Sequence, residues 1–178
     1  DMGILPDALV NYLIRLGWSH GDQEFFTRQD LIEKFTIEHI GKSAGIFDMN
    51  KLLALNADHI KAAAPAEVAE RLLPHLKARG IPAQADSFME AVVRTLSTRS
   101  KTLEEMADGA LFYYQDPLVY DEKAAAKFLS AEAGTLLSQV REALFGLDGF
   151  EEPDLEAVFQ SIMDKTGLKL GKIAQPLR

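Results

Sequence analysis

A chain of 178 residues can form one large domain or two small ones, and 47% hydrophobic residues are enough to build a core. The absence of cysteine excludes disulfides and cysteine-ligated metal sites, and it is compatible with a cytoplasmic protein. No apolar run reaches the roughly 18 residues that span a membrane. Because the first residue is Asp rather than Met, we expect a fragment of a longer protein.

The formal net charge of −8 argues against binding of nucleic acid through the whole surface. The charges are nevertheless sorted along the chain. Residues 75–101 contain five basic and two acidic residues, residues 165–178 contain four basic residues and no acidic one, and residues 148–156 contain five carboxylates. Charge alone favours ordinary solvated helix faces, and it leaves room for local cationic surfaces.

Apolar residues recur with helical spacing along most of the chain, and no stretch alternates convincingly with a period of two. We therefore predict an all-α protein with about nine helices. In chain order, they cover residues 6–16, 28–35, 50–60, 65–80, 86–96, 102–114, 122–129, 131–144 and 153–163.

Helix boundaries are predicted from capping residues and from proline. Thr27 with Asp30 resembles a capping box, and Asp86 and Thr102 precede two later helices. Asn50 is the predicted N-cap of the third helix. Pro74 lies within the fourth predicted helix and is expected to kink or shorten it.

The stretch HIGKS, residues 39–43, resembles two nucleotide-binding signatures. HIGK is close to the HIGH element that binds ATP in one class of aminoacyl-tRNA synthetases, and Lys42-Ser43 resembles the end of a phosphate loop. Both elements require a preceding β-strand, whereas the residues here read as the end of a short helix. This context argues against a nucleotide site. An NTP-binding enzyme centred on Lys42-Ser43 is kept as a rival hypothesis, which nucleotide titration would test.

The longest informative stretches are LPDALVNYLIRLGWSHGDQEFFT and GKSAGIFDMNKLLALNADHI, followed by TRSKTLEEMADGALFYYQDP and GLKLGKIAQPLR. Together they resemble the bacterial glutamyl-tRNA synthetases over nearly the whole chain. The likeness is most specific in residues 4–60. Three departures there concern Gly45, where proline is usual, Met49-Asn50, where Leu-Asp is usual, and His59, where tyrosine is usual.

The resemblance implies a helical stem-contact domain at residues 1–62, following a catalytic core that lies outside the chain. Residues 63–178 would form the first anticodon-binding helical domain. The parent enzyme would be a class I ligase that uses ATP and Mg²⁺ to attach glutamate to tRNA(Glu). The fragment itself would be inactive, cytoplasmic and monomeric, and it would bind neither a cofactor nor a membrane. Its partners would be tRNA(Glu) and the parent's own catalytic domain.

The resemblance also directs attention to polar residues that could contact RNA through phosphates or base edges. In the first domain these are Lys42, Lys51 and Asn56. The alternatives are that Lys51 is simply solvated and that Asn56 caps a neighbouring backbone group.

Arg99 is the strongest candidate in the second domain, because an arginine between two helices can bond a base edge with two donors. The alternative is an ion pair with Glu104 or Glu105. Lys101 lies beside Arg99. The basic tail adds Lys169, Lys172 and Arg178, for which a frayed terminus is the alternative.

Two further interpretations bear on function. The four histidines are dispersed without metal-ligand spacing, which predicts structural or surface roles and no zinc site. A helical protein-interaction scaffold without an RNA role is the other rival, and salt-dependent binding of tRNA would argue against it.

Overall fold

The computed structural model describes residues 2–41, 45–116 and 120–177, and these residues form ten α-helices and one short 3-10 helix, Ile37–His39. The helices are α1 (Pro6–Arg15), α2 (Arg28–Lys34), α3 (Met49–Ala62), α4 (Pro65–Ala78), α5 (Ser87–Leu96), α6 (Leu103–Tyr114), α7 (Glu122–Phe128), α8 (Ala131–Phe145), α9 (Glu152–Thr166) and α10 (Leu170–Leu177). The prediction of an all-α fold is confirmed. The part of the chain that the structure describes has no named β-strand, only an isolated bridge between Trp18 and Ile40.

Most helix boundaries follow the predicted capping chemistry. The hydroxyl of Thr27 accepts a hydrogen bond from the N–H of Asp30, whose carboxylate accepts one from the N–H of Thr27, which confirms the capping box. Asp86 and Thr102 cap α5 and α6 as predicted.

The other helices show one misplaced cap, one effect of proline and one helix that was not predicted. Asp48, not Asn50, caps α3, because its carboxylate is the group that accepts from the first backbone N–H groups of the helix. Of the two effects expected of Pro74, shortening is not seen, because helix α4 continues through the proline to Ala78. Helix α10 was not predicted at all, because Gly171 and Pro176 are residues that usually mark a loop.

The chain divides into two compact units, residues 1–116 and 117–178. In the first unit, α1 packs on α3, and α4 packs on both α5 and α6. One core runs through these helices, so that Ala8 and Ile60 share it with Leu72, Met89 and Met106. Residues on both sides of position 62 therefore pack together, and the division of function at 62/63 stays a prediction.

Smaller clusters complete the two units. In the first, Trp18 packs with Phe26 and Leu31. In the second unit, a core joins α8, α9 and α10. Its buried members are Leu136, Val140, Val158, Ile162 and Ile173. Ile173 is fully buried, and this contact explains why α10 forms despite its glycine and proline.

Two fully buried asparagines connect segments of the first unit. Asn11 on α1 accepts from the N–H of Phe26 at 2.9 Å and donates to the carbonyl of Glu24 at 3.1 Å. Asn56 on α3 accepts from the N–H of Leu5 at 2.8 Å and donates to the carbonyl of Lys101 at 2.6 Å. Buried amides are stable only when such partners satisfy them, so these contacts fix how the segments meet.

Gly3 allows the N-terminal segment to lie against the start of α6. Its carbonyl accepts from the N–H of Leu103 at 2.9 Å, and its φ of 68° lies in the left-handed region. A Cβ at this position would lie 2.6 Å from the backbone nitrogen of Glu104. A side chain is therefore excluded both by the backbone conformation and by space.

Replacing Asn56 by alanine should strongly destabilise the chain. The N–H of Leu5 and the carbonyl of Lys101 would lose a buried partner, which should lower the free energy of unfolding by about 2–4 kcal/mol. The matched control is Asn50→Ala in the exposed first turn of the same helix, for which we expect a change within about 0.5 kcal/mol. Urea denaturation measures both, and equal effects would refute the structural role of Asn56.

Burial of His59 should make stability depend on pH. The His59 Nε2 lies 3.0 Å from the Asn11 Oδ1, and desolvation lowers the pKa of the imidazole from 6.5, although Asp7 and Asp58 oppose the shift. Because the pKa of His59 is lower in the folded state, the folded chain has its full stability above pH 6.5. It loses stability as the pH falls through the folded-state pKa.

The measurement is urea denaturation at about pH 7.5 and about pH 5.5. The wild-type chain should lose more unfolding free energy over this interval than His59→Gln, which keeps a donor for Asn11 and does not titrate. Equal losses in both chains would show that His59 does not carry the pH dependence.

Candidate nucleic-acid interface

The turn between α5 and α6, residues 97–102, is named the α5–α6 corner. Its residues alternate: Ser100 and Thr102 are buried, whereas Arg99 and Lys101 are exposed. The backbone N–H of Arg99 donates to the carbonyl of Leu96 at 3.0 Å, which continues the helix by one turn. The two cations of the corner therefore point to solvent from a fixed backbone, as the prediction of an arginine between two helices requires.

The carboxylates nearest to the corner are already engaged. Glu104 binds the Nδ1 of His75 and, at 2.7 Å, the guanidinium of Arg79. Arg79 also binds Asp108 through its Nε at 2.7 Å. Hydrogen bonds from Arg79 and then from His75 lower the pKa of Glu104, which keeps it ionised. This group of four residues is named the α4–α6 clamp.

The remaining carboxylate, Glu105, accepts a hydrogen bond from the backbone N–H of Lys101 at 2.7 Å. The alternative in which Arg99 pairs with Glu104 or Glu105 is therefore not the arrangement seen. Over the described ranges, the side chain of Arg99 takes part in no hydrogen bond or ion pair, and neither does the ammonium group of Lys101. Both cations are available to an external anion.

Asn56 does not belong to this surface, and its assignment as an RNA contact needs correction. The residue is 0% exposed, and its amide is used by Leu5, Gly3 and Lys101. The alternative, in which the Asn56 amide caps neighbouring backbone groups, describes it correctly. Its role is to hold the carbonyl of Lys101, and through it the α5–α6 corner, against α3.

Lys51 is exposed on α3, and it lines a cavity of about 290 Å³ in the first unit. Leu55 and Asp58 line the same cavity, as their spacing along the helix predicts. Arg15 adds a second cation there, although it is paired with Glu24 at 3.2 Å. The cavity wall thus has mixed charge, and Lys51 is its unpaired cation in the described part of the chain.

The second unit contains a separate cationic groove. Lys169 and Lys172 are exposed, and together with Lys127 they line a cavity of about 700 Å³. The carbonyl of Lys169 accepts from the N–H of Lys172 at 2.8 Å at the start of α10. The alternative of a frayed terminus does not hold for these two residues, because Ile173 anchors the helix in the core.

Four of the predicted residues fall into two pairs that belong to different units, and Lys51 belongs to neither pair. Arg99 and Lys101 lie together in the first unit, and Lys169 and Lys172 lie together in the second. Lys42 and Arg178 lie outside the described residues, as does the rival nucleotide site at Lys42-Ser43.

Sequence reasoning missed Lys127 and the α4–α6 clamp. The spacing of Glu104 and Asp108, four residues apart on one helix, was a usable signal for a shared arginine. Local spacing does not indicate that this arginine is Arg79, because Arg79 lies at the end of another helix, α4.

Other kinds of site find no support in the residues that the structure describes. No cluster of three or more His, Asp or Glu side chains there could hold a metal ion. None of the helices assigned in those residues is long and apolar enough to cross a membrane.

Comparison with known proteins identifies the chain. The family model "Anticodon binding domain" matches residues 67–178, and the model "tRNA synthetases class I (E and Q), catalytic domain" matches residues 1–54. The chain belongs to the anticodon binding domain family.

Curated relatives extend the assignment over all 178 residues. The glutamate–tRNA ligase of Desulfosudis oleivorans is 57% identical and that of Geobacter sulfurreducens 51% identical, each over 100% of this chain and 38% of the relative. A solved glutamate tRNA ligase from Elizabethkingia meningosepticum, in complex with its amino acid, matches with a TM-score of 0.86 at 24% identity. That match covers 99% of this chain and 35% of the other, and it supports the fold.

These findings confirm the resemblance to glutamyl-tRNA synthetases. The chain spans little more than a third of the length of the curated relatives it matches. The activity and partners of a whole ligase therefore enter only as part of the proposed function.

Proposed function

We propose that this chain positions tRNA(Glu) for a glutamate–tRNA ligase of class I, by contacts to the stem and to the anticodon. The ligase would use ATP and Mg²⁺ in its catalytic domain, and this chain alone would be inactive. We place the protein in the cytoplasm and expect it to be monomeric.

The observation that carries the proposal is the α5–α6 corner. Arg99 and Lys101 are exposed cations whose neighbouring carboxylates are occupied, and they lie within the match to the anticodon-binding family. Arginine can bond an unstacked base through two donors and can neutralise a phosphate. This chemistry suits an RNA loop better than it suits an apolar protein surface.

Further residues would extend the contact. Lys51 would meet the stem from α3, and Lys169 and Lys172 would meet the anticodon side from the second unit. Lys42 and Arg178 stay in the proposal on the strength of the sequence resemblance alone.

The face for the ligase's catalytic domain would lie in the N-terminal third. Ile37 is 75% exposed and Ile46 is 86% exposed, and both lie in the stretch that matches the catalytic-domain family. We expect the catalytic domain to cover these two side chains.

The first test is tRNA binding by variants of two arginines. Arg99→Gln should weaken binding of a tRNA(Glu) transcript by about tenfold, because an Arg contact to a base or phosphate is worth about 1–3 kcal/mol. The matched control is Arg94→Gln on α5, where Glu90 holds the guanidinium at 3.0 Å, and it should stay within about twofold of the wild type.

The measurement is filter binding at several salt concentrations, with the native transcript and one whose anticodon is altered. Log affinity should fall as log salt concentration rises, by about one unit of slope per neutralised phosphate. Arg99→Gln should also reduce the preference for the native anticodon. Salt-insensitive binding or no binding would favour the scaffold, and saturable ATP binding would favour the nucleotide enzyme.

A further inference from the structure

The first unit contains an arrangement of charge that the proposed function does not by itself explain. Three carboxylates, Glu104, Glu105 and Asp108, lie on the first turns of α6, directly after the cationic corner. They lie within about 10 Å, roughly a Debye length, of the cations proposed to bind RNA. If their charges were not engaged by other groups, they would repel phosphates and compete for Arg99.

Contacts within the unit engage all three carboxylates. Arg79 reaches across from the end of α4 and bridges Glu104 and Asp108, with both contacts at 2.7 Å. His75, one turn earlier on α4 and nearly buried, binds the other oxygen of Glu104. Glu105 is engaged by the backbone N–H of Lys101.

Arg79 is built into this position rather than loosely paired. Its guanidinium also donates to the carbonyl of His75 at 3.0 Å and to the carbonyl of Glu104 at 3.3 Å. Its side chain is only 20% exposed, compared with 59% for the ordinary surface pair partner Arg94. A donor with this many partners cannot leave Glu104 without breaking several contacts at once.

We infer that Arg79, supported by His75, is a positioning residue for RNA binding: it holds the carboxylates of α6 away from Arg99, so that the corner presents unpaired cations. The inference rests on the proposed function, because it explains how an acidic protein keeps this corner cationic. Arg79 need not contact RNA itself. Its effect on binding passes mainly through Glu104, because Asp108 lies one turn further from the corner on α6.

The test is a double-mutant cycle between Arg79 and Glu104, measured as the affinity for a tRNA(Glu) transcript. Arg79→Gln should weaken binding about fivefold, because the released carboxylate becomes an exposed ion-pair partner for the corner. Glu104→Gln alone should stay within about twofold of the wild type, because the clamp already holds that carboxylate away from the corner. The double variant should bind within about twofold of the wild type.

Rescue by the second substitution separates positioning from contact. A double variant as weak as Arg79→Gln would mean that Arg79 touches RNA or only supports folding, and it would overturn the inference while the wild-type binding keeps the proposed function intact. Wild-type binding without salt dependence would overturn the proposed function itself.

The matched control is the pair Arg71 and Glu67 on the same helix, joined at 3.2 Å, for which both the single and double neutral variants should bind as the wild type does. If Arg79→Gln does not fold, as judged by urea denaturation, Arg79→Lys enters the same cycle. Lysine keeps the charge but, as a single point donor, cannot bridge Glu104 and Asp108 while also capping two carbonyls. Glu104→Gln must then rescue Arg79→Lys, and failure to do so would refute the inference.

Discussion

The side-chain amide of Asn56 is the contact on which the arrangement of the first unit depends. It joins the N-terminal segment at Leu5, helix α3, and the carbonyl of Lys101 at the α5–α6 corner. These segments are far apart in sequence, and apolar packing alone does not fix their register, because it has no direction. A buried amide does have direction, and losing any of its partners is costly. The exposed cations of the corner therefore occupy a defined place because an unexposed residue holds their backbone.

The same unit shows how an acidic protein can present a cationic surface. The net charge of −8 is a sum over the whole chain, whereas RNA responds to charges within about a Debye length. At the start of α6, internal donors satisfy the carboxylates and leave the cations unpaired. Local pairing, more than the total charge, decides the character of this surface.

Local chemistry made much of the fold predictable. The Thr27–Asp30 box and the caps at Asp86 and Thr102 depend on residues within one turn, so a sequence pattern contains all the required information. The cap of α3 was misplaced, because Asp48 and Asn50 are both competent and stand two positions apart. Helix α10 depends on the burial of Ile173 in a core built from α8 and α9, and no local signal reports that contact.

The candidate site was predictable in a similar measure. Arg99 could be proposed from the sequence because it lies between two capped helices and within a recognisable family stretch, and the structure shows that it is exposed. Asn56 was misassigned, although its spacing of four from both Leu52 and Ile60 places it on the buried face of α3. The clamp through Arg79 joins residues 25 and 29 positions apart, so only the tertiary structure reveals it.

The most direct test of the account is whether Asn56 and Arg99 act on RNA as one unit. The measurement is a double-mutant cycle of Asn56→Ala and Arg99→Gln, scored by tRNA affinity under conditions in which every variant is folded. If the buried amide sets the position of the corner, the loss caused by Arg99→Gln should shrink to less than about twofold in the Asn56→Ala background. If Arg99→Gln costs the same in both backgrounds, the corner does not depend on Asn56 and the account is wrong.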